Sequence, residues 1–233
     1  MKLGLFSLSD INPGKHNVKD SRLDQVDKIV KAKKKTYVQL ETVGENALPE
    51  ADAILVLEEN RQDLILSDLE FAESRLGRCE QEQEKALLLK LKEALEGEKF
   101  ICAAGLSQEE YQAISGYGLL TAKPVAVAKK EELADKDKLL ARALKESGYI
   151  SFFTAGEKET RAWLIKNGTT AWEAAGCIHS DIQRGFIRAE IISLEDFLAC
   201  GGETQAKQAG KMRLEQKDYV IRDADLANFR FNK

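Results

Sequence analysis

The stretch Ala51–Leu57 constrains the fold more than any other part of the chain, because it is apolar almost without interruption. A short apolar run that does not alternate with polar residues is typical of a strand buried on both faces, as in a parallel sheet. Pro124–Ala128 has the same character, and Leu3–Leu8 is predicted as the first strand. The periodicity also predicts a helix over Asp20–Ala32 and a strand over Thr36–Val43. Strands and helices in this order predict an α/β layer in the N-terminal half.

The longest helical pattern runs from Asp63 to Gly97. Apolar residues line one face of each half, and Gly77 separates the two halves. The pattern therefore predicts a helical hairpin that projects from the sheet as an arm, at about residues 63–97. An exposed leucine on this arm, at Leu88 or Leu89, would indicate a partner surface or a dimer contact.

The predicted secondary structure becomes richer in β segments after Gly148. Two β-rich segments are followed by a helix that begins with a threonine cap, and then by further β segments. This order is typical of a small α+β domain of the β-grasp type. We therefore predict two domains, residues 1–148 with the helical arm and residues 149–233. Basic and acidic side chains are equally numerous in the second domain, so any contact with RNA would use a local patch.

The overall charge limits the class of partner. Lys and Arg number 35 against 39 Asp and Glu, which gives a net charge of −4. Proteins that bind duplex nucleic acid through its phosphates are usually basic, so we expect no sequence-specific DNA partner. The short run Lys33-Lys34-Lys35 is interpreted as a solvated helix end that leads into a strand, with a phosphate-binding patch as the alternative.

The cysteines and histidines indicate no metal site and a reducing compartment. None of the four cysteines lies in a C-x-x-C pair, and the only histidines are His16 and His179. A chain of this size needs no disulfide for stability. No apolar run reaches the ~18–20 residues of a membrane span, so we expect no membrane partner. We predict a cytoplasmic location.

Six motifs of the C-terminal part stand in the order of one known family. They are Phe152–Gly156, Arg161–Trp163, Ile178–Asp181, Gly185–Glu190, Ala209–Tyr219 and Phe229–Phe231. Together they resemble the YchF family, the Obg-like P-loop ATPases. The resemblance implies that residues 149–233 form a TGS domain, which has a ubiquitin-like β-grasp fold. One departure is Asp223-Ala224-Asp225, where the family has Asp-Gly-Asp.

The N-terminal part resembles the same family in fragments, among them Asp20–Asp24 and Asp68-Leu69-Glu70. The resemblance implies a reduced sheet of the P-loop NTPase type with a shortened arm. The expected fold is therefore α/β with a short helical hairpin, followed by an α+β β-grasp domain.

The nucleotide-binding motifs of that family are altered here. Family members carry G-x-x-x-x-G-K-[ST] after the first strand, where backbone N–H groups and Lys hold phosphates and the hydroxyl holds Mg²⁺. This region contains Gly14-Lys15-His16, while Glu41–Gly44 replaces Asp-x-x-Gly and Lys129–Glu132 replaces the base-reading motif. We therefore expect a protein that is not an enzyme and uses neither ATP, GTP nor Mg²⁺ as a cofactor. Lys15, Glu41 and Gly44 are predicted as vestigial nucleotide contacts.

The resemblance implies a binding or regulatory role, that of a translation- or ribosome-associated adaptor acting through its TGS domain. The partner would be a protein, or the ribosome and its RNA. The predicted binding residues of the TGS surface are Arg161, His179, Arg184, Arg188 and Lys211. For each of them the alternative role is a surface salt bridge or a hydrogen bond that fixes a loop. Two alternative functions are residual binding of ATP or GTP, and sensing of a small ligand such as a nucleotide.

Overall fold

The computed structural model describes residues 1–232 and divides the chain into two compact units. The N-terminal unit consists of residues 1–16 and 40–147, and the C-terminal unit consists of residues 17–39 and the chain from Gly148 onward. The chain therefore passes from one unit to the other three times. The predicted limits, 1–148 and 149–233, differ from these units at residues 17–39 and at Gly148.

The structure contains strands and helices throughout the described residues. The strands are β1 (Lys2–Phe6), β2 (Gly14–Val18), β3 (Lys35–Thr36), β4 (Val38–Val43), β5 (Ala53–Leu57), β6 (Val125–Ala128), β7 (Tyr149–Ala155), β8 (Thr160–Lys166), β9 (Phe186–Ile192), β10 (Arg213–Glu215) and β11 (Leu226–Phe231). The α-helices are α1 (Ser21–Val30), α2 (Arg61–Leu76), α3 (Glu82–Glu96), α4 (Gln108–Ile114), α5 (Lys136–Glu146), α6 (Ala171–Ile178), α7 (Ser180–Arg184), α8 (Leu194–Cys200) and α9 (Glu203–Gln208).

The first sheet has the strand order β2-β4-β1-β5-β6. Strand β1 pairs in parallel with β4 and β5, and β5 pairs in parallel with β6. Every residue of β5 is buried, as expected from its apolar sequence. This confirms the predicted α/β class with a parallel sheet. Because the four strands run in the same direction, their carboxyl ends meet at one edge of the sheet.

The predicted arm is a pair of helices, α2 and α3. The ion pairs Arg75–Glu84 and Lys92–Glu73, at 2.7 Å each, fix the two helices in an antiparallel arrangement. Leu88 is fully buried, whereas Leu89 is about half exposed. Leu88 therefore belongs to the core of the hairpin and offers no partner surface.

The second sheet has the order β10-β9-β11-β7-β8-β3. Strands β7 and β8 form an antiparallel hairpin, and β9 pairs antiparallel with β10 and β11. The last strand, β11, lies between β9 and β7 and runs parallel to β7. The hairpin, the helix α6 that follows it and the central last strand account for the β-rich pattern after Gly148.

Two consecutive phenylalanines, Phe152 and Phe153, show that this second sheet is covered on both faces. Neighbouring side chains of a strand point to opposite faces, and both of these are fully buried. Phe152 packs in the cluster that contains the small residues of α6. Phe153 lies against α1, where the guanidinium of Arg22 is 5.8 Å from the centre of its ring. Helix α6 therefore covers one face, and α1 and α8 cover the other.

Residues 17–39 belong to the C-terminal unit because α1 and β3 complete its sheet. Leu23 and Val26 of α1 are fully buried, and β3 pairs in parallel with β8. The predicted strand Thr36–Val43 is therefore two strands in two different sheets. Only Tyr37 separates the end of β3 from the start of β4, so the continuous β pattern in the sequence gave no sign of the change.

Two further predictions of local structure are wrong. Gly14, expected in a turn, is the first residue of strand β2, and it adopts the left-handed φ of +141° that glycine tolerates. Tyr219–Ile221, expected as a strand, forms only a single bridge between Val220 and Thr170. Within residues 1–232, none of the helices is long and apolar enough to cross a membrane.

Candidate functional site

The five predicted binding residues all lie in the C-terminal unit, but they do not form one patch. Arg161 is on β8, on the α6 face of the sheet, because it shares that face with Trp163 and Phe152. Arg188 is on β9, on the opposite face, because its neighbour Ala189 points into the α6 cluster. Two strands, β11 and β7, lie between β9 and β8. At roughly 4.8 Å per strand, Arg161 and Arg188 are separated by about 14 Å across the sheet.

His179 and Arg184 are brought together by helix α7. His179 is the N-cap of this helix, and its Nδ1 accepts a hydrogen bond of 3.1 Å from the backbone N–H of Asp181. The carboxylate of Asp181 also pairs with Arg184 at 2.5 Å. An open cleft of about 640 Å³ is lined by Asp181, Arg184 and the end of β11. Arg184 is the most exposed of the five candidates, with 76% of its side chain accessible.

Arg188 shares a buried carboxylate with Arg230. The two arginines are directly opposite each other on β9 and β11. Glu190 lies between them at 3.8 Å and 2.8 Å and is only 5% exposed. Pairing with Glu190 raises the pKa of Arg230. The two guanidinium groups therefore compensate a buried charge, and their outer N–H groups remain at the surface.

Lys211 is paired with Asp196 at 3.1 Å, and this contact raises the pKa of the lysine. The pKa of Asp196 is lowered, mainly by its hydrogen bond with Ser193 and then by its contact with Lys211. Four of the five candidates thus lie within ion-pair distance of a carboxylate. Arg161 differs, because its guanidinium stacks on the ring of Trp163, with 4.0 Å between the guanidinium carbon and the ring centre.

The structure places further basic residues next to Arg161. Strand β3 brings the run Lys33-Lys34-Lys35 beside β8, with Lys35 opposite Thr160 and Thr36 opposite Arg161. The sequence signal for this group was the lysine run itself. Its proximity to β8 depends on a pairing between residues more than 120 positions apart, which no local pattern reveals.

The predicted nucleotide contacts lie in and beside the first sheet. Glu41 is opposite Lys2, at the amino end of β1, whereas Gly44 follows the carboxyl end of β4. Three residues of strand span about 10 Å, so Glu41 and Gly44 lie at different levels of the sheet. Lys15 is exposed in β2, whose residue Gly14 accepts a hydrogen bond of 3.3 Å from the Thr42 hydroxyl.

The carboxyl edge of this sheet contains an open cleft of about 410 Å³ at the ends of β5 and β6. Ligands of open α/β sheets bind at this edge. The lining of the cleft contains three carboxylates, from Glu58, Glu59 and Glu131, and two ammonium groups, from Lys129 and Lys130. The two ammonium groups suit a phosphate, but the chain after β1 continues into β2 and not into a helix whose N-terminus would hold one. Among residues 1–232, no group of three or more His, Cys, Asp or Glu is arranged to hold a metal ion. The fit to a nucleotide with Mg²⁺ is thus incomplete, and we derive no reaction step from these residues.

The two sheets and the helical hairpin define the class of protein, and comparison with known proteins gives the family. The structure superposes on the Schizosaccharomyces pombe YchF GTPase with a TM-score of 0.75 and 20% sequence identity, covering 99% of this chain and 97% of that chain. At this identity the match shows a shared fold: α/β with a parallel sheet.

Sequence comparison extends the match. The family model YchF-GTPase_C, described as a protein of unknown function (DUF933), matches residues 149–232. The Ribosome-binding ATPase YchF of Bacillus subtilis (strain 168) is 35% identical over 246 residues, covering 78% of this chain and 67% of the relative. That of Haemophilus influenzae is 34% identical over 233 residues, covering 73% and 64%. The chain belongs to the YchF family, and it spans about two thirds of the length of these relatives.

Two predictions are wrong in the light of these comparisons: that the chain is not an enzyme, and that ATP, GTP and Mg²⁺ are not its cofactors. The matched relatives are named ATPases, and the matched structure is a GTPase. The predictions rested on three short motifs, each a few residues long. An alignment over 246 residues is the stronger guide to the class of a protein, and it places the chain in a family whose matched members are named ATPases.

Proposed function

We propose that this chain associates with the ribosome and acts as an adaptor in translation through its C-terminal unit. The observation that carries the proposal is the match of residues 149–232 to the YchF C-terminal family model, within a family whose relatives are named ribosome-binding. The C-terminal unit is also a complete sheet with a helix layer on each face, which makes it a rigid platform for a binding surface.

We further propose that this unit is a TGS domain. The support is its topology, in which a β7–β8 hairpin is followed by α6 and the last strand, β11, is parallel to β7 in the middle of the sheet. That arrangement is the one the β-grasp fold requires. In this proposal residues 149–233 carry the domain and residues 17–39 cover its second face.

The predicted binding residues are Arg161, His179, Arg184, Arg188 and Lys211, and because Arg161 and Arg188 lie on opposite faces of the sheet, they would contribute separate contacts from more than one face of the unit. In Arg184 and Lys211 more than half of the side chain is accessible, and their carboxylate partners are 59% and 33% exposed respectively. Such surface pairs are worth about 1 kcal/mol or less, so a phosphate or an acidic protein group can compete for the cation at small cost. A ribosomal partner offers both kinds of anion.

The experiment is co-sedimentation of the full chain with ribosomes purified from Bacillus subtilis. We expect the chain to pellet with ribosomes, and the double variant R184E/K211E to pellet at least fivefold less. The matched control is R78E/K85E, which makes the same charge change at two exposed positions of the arm. If both double variants pellet like the unaltered chain, the C-terminal surface is not the binding surface. If the unaltered chain does not pellet, the proposal as a whole fails.

A second candidate function is nucleotide binding, which the relatives' names and the cleft at the carboxyl ends of β5 and β6 favour. Calorimetric titration of the full chain with ATP and with GTP, each with Mg²⁺, tests it. Saturable heat that is lost in K129Q/K130Q places the nucleotide at that cleft. Saturable heat that is unchanged in this variant places it elsewhere, and the lack of any heat refutes this second function.

A further inference from the structure

Strand β3 brings the lysine run of residues 33–35 beside basic residues of the β7–β8 hairpin, a grouping that the run alone does not reveal. The backbone N–H of Lys33 donates to the carbonyl of Glu157 at 3.0 Å, and the N–H of Thr160 donates to the carbonyl of Lys34 at 2.9 Å. These bonds attach the lysine run to the turn between β7 and β8. Lys33, Lys34, Lys158 and Arg161 therefore lie around one corner of the sheet, and we call these four residues the β3 corner.

Two acidic groups near the β3 corner, Asp24 and Glu159, are already engaged in ion pairs or hydrogen bonds. Asp24 pairs with Lys35 at 2.6 Å, so the charge of this lysine is neutralised by the carboxylate and is not counted in the β3 corner. Glu159 accepts a hydrogen bond of 2.5 Å from the Thr36 hydroxyl and lies 3.3 Å from Lys34. These contacts lower the pKa of Glu159, with the Thr36 bond as the largest cause, so it stays ionised at neutral pH.

The cations of the β3 corner are largely free. Lys34 keeps 69% of its side chain exposed, and Lys33 and Lys158 are exposed residues without an ion pair to any of residues 1–232. Four basic side chains face two carboxylates, Glu157 and Glu159, which leaves a local net charge of about +2 on a chain whose total is −4. This corner therefore attracts anions although the protein as a whole is acidic.

A flat stacking surface adjoins these cations. The guanidinium of Arg161 lies 4.0 Å above the ring of Trp163, and the indole N–H of Trp163 donates to the Thr154 hydroxyl at 2.9 Å, which fixes the orientation of the ring. Unpaired bases stack on arginine planes and aromatic rings, and flexible lysines serve as point charges for phosphates. An acidic protein would use the lysines but would have no need of the stacked plane.

We infer that the β3 corner binds single-stranded RNA, with Lys33, Lys34 and Lys158 contacting consecutive phosphates and the Arg161–Trp163 stack receiving an unpaired base. The inference rests on the proposed ribosome association, for which it names the class of partner and the surface. It assigns binding to Lys33, Lys34 and Lys158, which lie outside the predicted set of five residues.

The test compares two triple variants of the full chain. K33Q/K34Q/K158Q removes three charges from the β3 corner, and the matched control K166Q/K207Q/K217Q removes three charges from exposed lysines elsewhere in the same unit. The probe is a fluorescent single-stranded RNA of about 20 nucleotides, titrated at several salt concentrations. We expect the corner variant to bind at least tenfold more weakly at about 0.1 M salt, with a salt slope less steep by about 2 to 3. The control should differ less than twofold from the unaltered chain.

A conservative variant separates stacking from charge. R161K keeps the positive charge and loses the plane, so we expect RNA affinity to fall about fivefold with an unchanged salt slope. A fall in slope of about 1 with R161K would contradict the stacking role. Equal RNA binding by the corner variant and the control would overturn the inference.

Sedimentation with Bacillus subtilis ribosomes, followed by ultraviolet crosslinking, separates this inference from the proposed function. If the unaltered chain does not pellet, the proposed function itself fails. If it pellets and the corner variant pellets equally well, the β3 corner is refuted while ribosome association stands. If the corner variant fails to pellet, crosslinks from residues 157–163 to ribosomal RNA support the inference. Crosslinks to a ribosomal protein instead would overturn the assignment of RNA as the partner.

Discussion

The guanidinium of Arg22 donates a hydrogen bond of 2.7 Å to the carboxylate of Asp223, which lies 201 residues further along the chain. The same guanidinium binds Asp20, the N-cap residue of α1, at 2.8 Å. Asp223 in turn accepts the backbone N–H of Ser151 in β7 at 3.1 Å. The pair therefore fastens the helix from the N-terminal half of the sequence to the sheet of the C-terminal unit.

Replacement of Arg22 by Ala should destabilise the C-terminal unit by about 1–2 kcal/mol. The value lies between those of exposed and buried ion pairs, because about a third of each partner's side chain is accessible. Chemical denaturation of the full chain measures it. The control R78A removes an exposed arginine of the arm and should cost less than about 0.5 kcal/mol. Equal losses in the two variants would show that the Arg22–Asp223 pair contributes nothing.

Ala224 is strained, and glycine should relieve the strain. Its φ of +65° is left-handed, which costs an L-residue about 1–2 kcal/mol. Glycine also loses more backbone entropy on folding, by about 0.5–1 kcal/mol. We therefore expect A224G to raise the free energy of unfolding by about 0.5–1 kcal/mol. A209G, at an exposed residue with an ordinary φ of −77°, should lower it instead. Destabilisation by both would refute the strain.

Glu84 makes the stability of the arm depend on pH. Its carboxylate accepts hydrogen bonds from Arg75 at 2.7 Å and from the Tyr117 hydroxyl at 2.6 Å, and these contacts, Arg75 first, lower its pKa to about 2. A carboxyl group with a depressed pKa stabilises the folded state above its unfolded pKa, near 4.5. That contribution is lost as pH falls from about 4.5 towards about 2.

The measurement is the melting temperature of the unaltered chain and of E84Q between pH 7 and pH 3. The difference between them should be largest near neutrality and should shrink as the pH falls below about 4.5. The control E82Q changes an exposed glutamate two residues away in the same helix. A difference for E84Q that stays constant over this range would contradict the role of the ionised carboxylate.

The sequence predicts best those elements whose pattern is local. The apolar run Ala53–Leu57 is a buried parallel strand as expected, and the helical pattern of residues 63–97 is the α2–α3 hairpin. These predictions succeed because burial on two faces, or on one helical face, leaves a period in the sequence itself. The threonine cap of α6 is a local signal of the same kind, with Thr170 and Glu173 forming a capping box.

Pairings between distant segments could not be predicted in this way. Strand β3 joins the second sheet by pairing with β8, which lies more than 120 residues later in the chain. The adjoining strand β4 belongs to the first sheet. Nothing in the local pattern distinguishes the two strands. The relative placement of the predicted binding residues could not be predicted either, since Arg161 and Arg188 both occur in family motifs yet lie on opposite faces of the sheet. Their separation is a property of topology.

Gly185 allows the last strand to close against the chain, and this yields a final prediction. A Cβ at this position would lie 2.0 Å from the carbonyl oxygen of Asn232, whose N–H donates to the carbonyl of Gly185 at 2.9 Å. Because backbone atoms cannot give way cheaply, G185A should cost about 1–3 kcal/mol and should speed hydrogen exchange at the Asn232 amide. The control G156A meets its neighbour at an ordinary 3.9 Å and should change stability by less than about 0.5 kcal/mol. Unchanged exchange at Asn232 in G185A would show that the end of β11 is not held by this contact.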